Sequence, residues 1–289
     1  MSKIAVIGNA NADLIAFVDD LPELDEVREA KDWTIMPGGS GSNFSIAARS
    51  LGANVTLMTA IGNGKFSELV KEVLLLRGIN LYAIPKDGEQ SIIFIASTPR
   101  GKVMYSLKGV SHQLRPEDLP GELDADILHV ASKSSSFVER YLGKIPLSYS
   151  PGPSCFYEPR RVRKLVRELD FLFVNEPEAR ALGLLEEPRP LPKKALVITM
   201  GDKGSLVITK DFKLRVGVYP VERVVDPTGA GDTYAAAFVV TYLETRDLAE
   251  SARRAAVAGA LAVTVVGGSV VLNREVVIKE AKKVIVERE

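Results

Sequence analysis

The chain reads as an α/β protein with a mostly parallel sheet covered by helices on both faces and a small inserted β sheet. Two observations predict this. Short β-branched runs alternate with helix-patterned segments along most of the 289 residues, and strands buried on both faces read as continuous apolar runs. Four further segments, near 14–18, 27–35, 90–97 and 102–108, break that rhythm. They read as a separate sheet that covers the main layer as a lid.

In order, residues 3–7 form a β-branched run stopped by Gly8, a buried-strand pattern. The segments 14–18 and 27–35 alternate in polarity and are divided by Pro22 and acidic residues. Pro37-Gly38-Gly39-Ser40-Gly41-Ser42-Asn43 leads into a helical pattern over 44–51. Residues 55–61 read as a strand, 66–77 as a helix and 81–84 as a strand. Segments 90–97 and 102–108 flank Pro99-Arg100-Gly101 as a hairpin. Strands follow at 127–131, 145–148, 171–174 and 195–200, with helices at 137–142 and 161–168. A late hairpin, 205–209 with 213–218, precedes helices at 233–243, 248–266 and 275–286. One domain over 1–289 results, with lid segments about 14–36 and 89–109 inserted.

Composition narrows the function. Apolar residues make up 46% of the chain, enough for a large core. Basic and acidic residues balance at 37 each, which argues against a nucleic-acid binder. Cys155 is the only cysteine, so an intramolecular disulfide and a multi-thiolate metal site are excluded. His112 and His129 are the only histidines, too few for a His-rich zinc site. The first apolar run is too short for a signal peptide, and no run of about 18 apolar residues occurs. A cytoplasmic protein without a membrane partner is the expectation.

The most informative motif is Asp226-Pro227-Thr228-Gly229-Ala230-Gly231-Asp232, which runs directly into an Ala-rich helix. A Gly-rich turn at a helix start leaves amides pointing at one spot, and the helix dipole favours an anion there. A carboxylate beside such a site repels a resting phosphate. A phosphoryl-transfer enzyme needs both: donors for the moving group and a base for the attacking hydroxyl. A plain helix N-cap Asp is the alternative.

Other motifs are weaker one by one. Asp13 follows the first strand, where ligands bind in open α/β sheets, and would accept hydrogen bonds from a polyol. The segment lacks G-x-G-x-x-G, which disfavours a dinucleotide site. Gly38 and Gly39 allow close approach of backbone to a ligand, and Asn43 offers donors and an acceptor to hydroxyls. Asn175 and Glu178 are three apart at a helix start. They suit a hydrated Mg²⁺ ion or a capping box. Thr199, Gly201 and Gly204 suit passage of a nucleotide's phosphates or a hairpin turn. Trp33, Phe94 and Tyr105 read as sheet packing, or as lid aromatics stacking on a base. His129 reads as a core histidine and Cys155 as a quiet thiol.

Together these motifs resemble the ribokinase (PfkB) family of carbohydrate and nucleoside kinases, in order along the whole chain. Gly38-Gly39 with Asn43 resembles its N-terminal motif, Asn175-x-x-Glu178 its Mg²⁺–phosphate motif, and Thr199-x-Gly201-x-x-Gly204 its nucleotide turn. The 226–232 segment resembles its C-terminal signature. The resemblance implies a three-layer α/β/α fold with a β lid, often used for dimerisation. It also implies Asp232 as general base, the amides of Gly229, Ala230 and Gly231 as anion hole, and Asn175 and Glu178 positioning Mg²⁺ through water. Thr199, Gly201, Gly204 and Asn175 would meet the donor, ATP or ADP. Asp13, Gly38, Gly39 and Asn43 would hold the acceptor, and a monovalent cation joins the cofactors. Two departures stand out. Residues 248–266 lack the Asn that many members carry, and Ser150-Pro151-Gly152 stands where several nucleoside-type relatives have Asp-Pro-Gly.

The acceptor expected is a sugar or nucleoside. If Arg100, Lys102, Lys108 and Lys133 face the site, a phosphorylated sugar becomes the alternative. If the lid aromatics line it, a nucleoside is favoured. A non-catalytic sugar-binding protein would need a broken base or anion hole, and both look whole.

Overall fold

Strands buried on both sides need a core on each side, and this chain builds two. In the computed structural model, which describes residues 1–289, the strands are β1 (Lys3–Gly8), β2 (Asn11–Phe17), β3 (Asp32–Gly38), β4 (Asn54–Ile61), β5 (Asn80–Pro85), β6 (Ile92–Thr98) and β7 (Gly101–Leu107). They continue with β8 (Ile127–Ala131), β9 (Leu147–Ser150), β10 (Phe171–Asn175), β11 (Ala195–Thr199), β12 (Ser205–Ile208), β13 (Lys213–Val216) and β14 (Val286–Arg288). The helices are α1 (Ser40–Ser50), α2 (Lys65–Leu76), α3 (Ser135–Glu139), α4 (Ser154–Tyr157), α5 (Pro159–Leu165), α6 (Glu176–Ala181), α7 (Ala230–Thr245), α8 (Leu248–Ala262) and α9 (Arg274–Ala281).

The main sheet has the order β14-β13-β12-β11-β10-β9-β8-β1-β4-β5. It is parallel from β5 to β11, and β12, β13 and β14 add on antiparallel. Period-two alternation divides its side chains between the cores. Ile4, Val6, Phe171, Phe173 and Val197 face α1, α2, α7, α8 and α9. Ala5, Ile7, Leu172, Val174, Leu196 and Ile198 face α3, α4, α5 and α6. The result is the three-layer α/β/α arrangement.

The second sheet is β3-β2-β6-β7. Its registers place Asp13, Met36, Ile93 and Ser106 in one row, with Ile15, Thr34, Ile95, Met104 and then Phe17, Asp32, Ser97, Lys102 below them on the same face. The opposite face is apolar: Leu14, Ile35, Phe94 and Tyr105, then Ala16, Trp33, Ala96 and Val103. The first face meets the main body, since Met36 reaches Gly267 and Lys102 reaches Asp226.

Some elements differ from expectation. The strand predicted over 27–35 starts at Asp32, because β2, its only partner, ends at Phe17 opposite Asp32. Val27 is fully out in solvent. β2 in turn begins at Asn11 rather than 14. The strand predicted at 145–148 is shifted to Leu147–Ser150 by its registers with β8 and β10. The last helix stops at Ala281, and Val286–Arg288 instead pairs with β13 as an edge strand. Three residues are too few to show a period.

Candidate active site

Asp226 shapes the turn before α7. Its Oδ1 accepts from Thr228 N at 2.9 Å and Thr228 Oγ1 at 2.6 Å, and its Oδ2 accepts from Gly267 N at 3.0 Å. The amides of Val225 and Asp226 donate to Val263 O at 2.7 and 3.1 Å, tying the turn to the end of α8. Gly229 then adopts φ 72°, and a Cβ there would lie 2.6 Å from Gly268 O. Only glycine fits both demands. The amides of Gly229 and Gly231 find no acceptor within the chain, while that of Ala230 makes a long bond, 3.3 Å, to Pro227 O. Two free donors at the positive end of a 16-residue helix make an anion site.

Asp232 sits in the first turn of α7, facing a chamber of about 150 Å³ that it shares with Gly229, Gly231, Asn175, Glu178 and Thr199. Asn43 Nδ2 donates to its Oδ2 at 2.9 Å. Burial lifts the carboxyl to about 7, against the Asn43 hydrogen bond and with the Glu178 charge adding to the rise. A carboxyl poised there is matched to accept a proton near neutral pH. The carboxylate therefore faces a cleft and is joined to the helix that follows the Gly-Gly turn.

Asn43 is engaged within the chain. Rather than offering its whole amide to an acceptor's hydroxyls, it spends Nδ2 on Asp232, and its Oδ1 lies 3.1 Å from Ser269 Oγ. Ser269 Oγ also reaches Pro37 O at 2.6 Å. The loop over 267–269 was not singled out from the sequence, and Gly-Gly-Ser after a helix carries no specific signal.

Asn175 and Glu178 form the capping box: Asn175 Oδ1 accepts from Glu178 N at 2.9 Å, and Glu178 Oε2 accepts from Asn175 N at 3.0 Å. Both residues also line the Asp232 chamber. Burial raises the Glu178 carboxyl. The box uses the only side-chain oxygen of Asn175 and one of the two of Glu178. Two carboxyls in one small space repel when both are ionised, which protonation or a cation between them would relieve. No cluster of three or more His, Cys, Asp or Glu could cage a metal, so the set suits a hydrated ion shared with a ligand's phosphates.

A second cavity of about 560 Å³ opens beside the chamber and meets it at Thr199 and Gly231. Gly201 and Gly204 border it, and its walls include Tyr219, Val224, Tyr234, Ala256, Gly259 and Ala260. The small residues of α8 leave a flat apolar slot. Gly204 lies in this cavity only, away from Asp232.

Asp13, Gly38 and Gly39 gather on the other side. A side chain at Gly38 would overlap the Asp13 carboxylate, and at Gly39, with φ 84°, it would meet Asn9 O at 2.7 Å. Asp13 is 4% exposed. Burial and then Asp226 push its carboxyl up to about 7, with Lys102 opposing. Oδ1 of Asn9, Asn11 and Asp13 are all buried without a partner. Orphaned acceptors are costly unless something donates to them. Asn9 and Asn11 were missed in the sequence, although Asn-x-Asn-x-Asp at period two was a usable signal.

The remaining readings resolve simply. His129 is fully buried, stacked 3.8 Å from Phe44 and bonded to Ser148 Oγ at 2.9 Å. Burial holds its imidazole down near 3. Cys155 is buried, which pushes its thiol far up. Phe94 and Tyr105 lie on the lid's outer face, away from the cleft. Arg100 pairs with Asp20 at the surface, whereas Lys102 reaches Asp226 in the turn before α7. No helix is long and apolar enough to cross a membrane.

Known proteins share this fold. The nucleoside kinase of Methanocaldococcus jannaschii is 27% identical over 261 residues, covering 86% of each chain. Its crystal structure superposes with a TM-score of 0.86 over 98% of this chain and 99% of that one, at 24% identity. The cytidine kinase of Thermococcus kodakarensis is 28% identical over 274 residues, 88% of this chain and 93% of that protein. Thermotoga maritima ribokinase has the same fold, with a TM-score of 0.84, 24% identity, and 98% and 100% of the two chains covered. The model of the pfkB carbohydrate kinase family matches residues 1–274. This chain therefore belongs to the pfkB family of carbohydrate kinases and is a phosphotransferase with an alcohol group as acceptor.

Proposed function

We propose that the protein transfers the terminal phosphoryl group of ATP or ADP to a hydroxyl of a sugar or nucleoside, with Mg²⁺ required. The observation that carries this is the Asp232 carboxylate, set beside the free amides of Gly229 and Gly231 and steadied by Asn43. The acceptor would lie against Asp13, Gly38 and Gly39, its hydroxyls donating to the orphaned oxygens of Asn9, Asn11 and Asp13. The donor's base would occupy the apolar cavity along α8, with its phosphates passing Thr199 and Gly201. As the acceptor oxygen attacks the terminal phosphorus, its proton passes to Asp232 and the bond to the donor's bridging oxygen breaks. The Gly229 and Gly231 amides meet the oxygens of the group in flight. Mg²⁺, held through water by Asn175 and Glu178, would neutralise phosphate charge. The small sheet acts as a lid that excludes water.

The acceptor class is carried over from relatives named nucleoside kinase and, in Bacillus subtilis, ribokinase. The outward position of Phe94 and Tyr105 removes the stacking platform that a lid-bound base would use, which favours a sugar moiety as the feature read. A second reading, a phosphorylated sugar, is supported by Lys133, a buried ammonium at the mouth of β8 whose partner is Ser111 O at 3.0 Å. The apolar outer face of the lid, with Trp33 64% and Tyr105 62% exposed, supports a homodimer through it. A donor-dependent phosphorylation screen over sugars, nucleosides and sugar phosphates tests the reading. Failure of every acceptor with both ATP and ADP would sink it.

A further inference from the structure

Asp226, the first carboxylate of the catalytic turn, takes no proton in the reaction above, yet it lies beside the anion hole. Its charge is answered from the lid. Lys102 Nζ lies 2.6 Å from Asp226 Oδ1 and also donates to Thr228 Oγ1, across 124 residues of sequence. The pair is largely withdrawn from solvent, with side chains 22% and 9% exposed. The side-chain oxygens that Asp226 and Thr228 could offer a cation are all engaged. Oδ1 accepts from Lys102, Thr228 N and Thr228 Oγ1, and Oδ2 accepts from Gly267 N. The monovalent cation implied by the family resemblance therefore finds no free side-chain oxygen here. An ammonium group is a compact positive charge whose N–H donors engage the oxygens that such an ion would coordinate.

We propose that Lys102 is the built-in monovalent cation of this turn, a positioning residue delivered by the lid that keeps the Gly229 and Gly231 amides aligned and Asp226 neutralised. The inference rests on the kinase reading for its catalytic consequence, but not for its charge balance. With Lys102 in place, the anion hole sees a compensated carboxylate. Without it, Asp226 sets an uncompensated negative charge beside the phosphoryl group in flight. Asp13, which faces the same pair, would then also lose the one cation that favours its ionised form.

The test compares wild type with Lys102→Met and Lys102→Arg in sodium, potassium and ammonium chlorides at constant ionic strength. Wild-type kcat is expected to be the same in all three salts. Lys102→Met should lose kcat by on the order of tenfold to a hundredfold, less than loss of a direct oxyanion donor, and regain it saturably with K⁺ or NH₄⁺ but not Na⁺. Lys102→Arg, which keeps the charge, should recover most of the loss. Thermal melting gives a readout apart from activity: K⁺ and NH₄⁺ should raise the Tm of Lys102→Met and leave that of wild type unmoved. A wild type that needs K⁺, or a Met variant that neither responds to cations in rate nor in Tm, would overturn the proposal. If wild type phosphorylates nothing, the kinase reading falls while the melting comparison still decides the cation question.

Discussion

Replacing Asn43 with Ala separates holding the base from holding the substrate. Asn43 Nδ2 donates to Asp232 Oδ2 at 2.9 Å in a partly buried setting. A neutral donor to an ionised acceptor contributes about 1.5–3 kcal/mol. Its loss disfavours the ionised form, so the titration of Asp232 moves up by about one to two pH units at 1.36 kcal/mol each. Partial exposure lets water replace some of the bond, which points to the lower end. Starting from about 7, the ionised fraction at pH 7 falls from about a half to about a tenth. The assay is kcat/KM for the acceptor between about pH 5 and pH 10, which reports the free enzyme's base. We expect about a fivefold loss at pH 7 that disappears above about pH 9, with the acid limb displaced upward. An acid limb that stays in place, with equal loss at every pH, would show that Asn43 contacts only the acceptor and would refute the reasoning.

Three further outcomes follow from the same geometry. Asp232→Asn should abolish turnover and yet stabilise the fold at pH 8. Asp232 titrates higher folded than unfolded, so the folded state binds more protons between about pH 4 and 7 and stability falls across that window; melting curves should show a gain on the order of 2 kcal/mol at pH 8 that shrinks as pH falls and is gone by about pH 4. Glu178→Gln removes a charge that raises Asp232, so the acid limb should move down in pH while the Mg²⁺ needed for half-maximal rate rises roughly tenfold or more. No change in either would leave Glu178 as a helix cap alone. Gly259→Leu should fill the apolar cavity and raise the donor's KM about tenfold or more, with the acceptor's KM unchanged. A Cβ at Gly259 meets only ordinary contacts, 3.5 Å from Ala230 O and 3.6 Å from Tyr234, so circular dichroism should show an intact helix.

Much of this molecule was legible before any coordinates. Short apolar runs such as 4–7 and 171–174 read as strands covered on both sides, and their two-residue period assigned each side chain to one core or the other. The glycines at 229 and 231 announced an amide-lined turn at a helix start with a carboxylate at its end, because both features are local to the backbone. What tertiary structure alone decided is every property that depends on a distant partner or on exclusion of water. Asn43 meets Asp232 across 189 residues, and Lys102 meets Asp226 across 124. The elevated carboxyls of Asp13 and Asp232 arise from burial that no local pattern encodes. The inward turn of Lys102 and the outward turn of Phe94 and Tyr105 were set by strand register, where a slip of one residue would exchange the two faces.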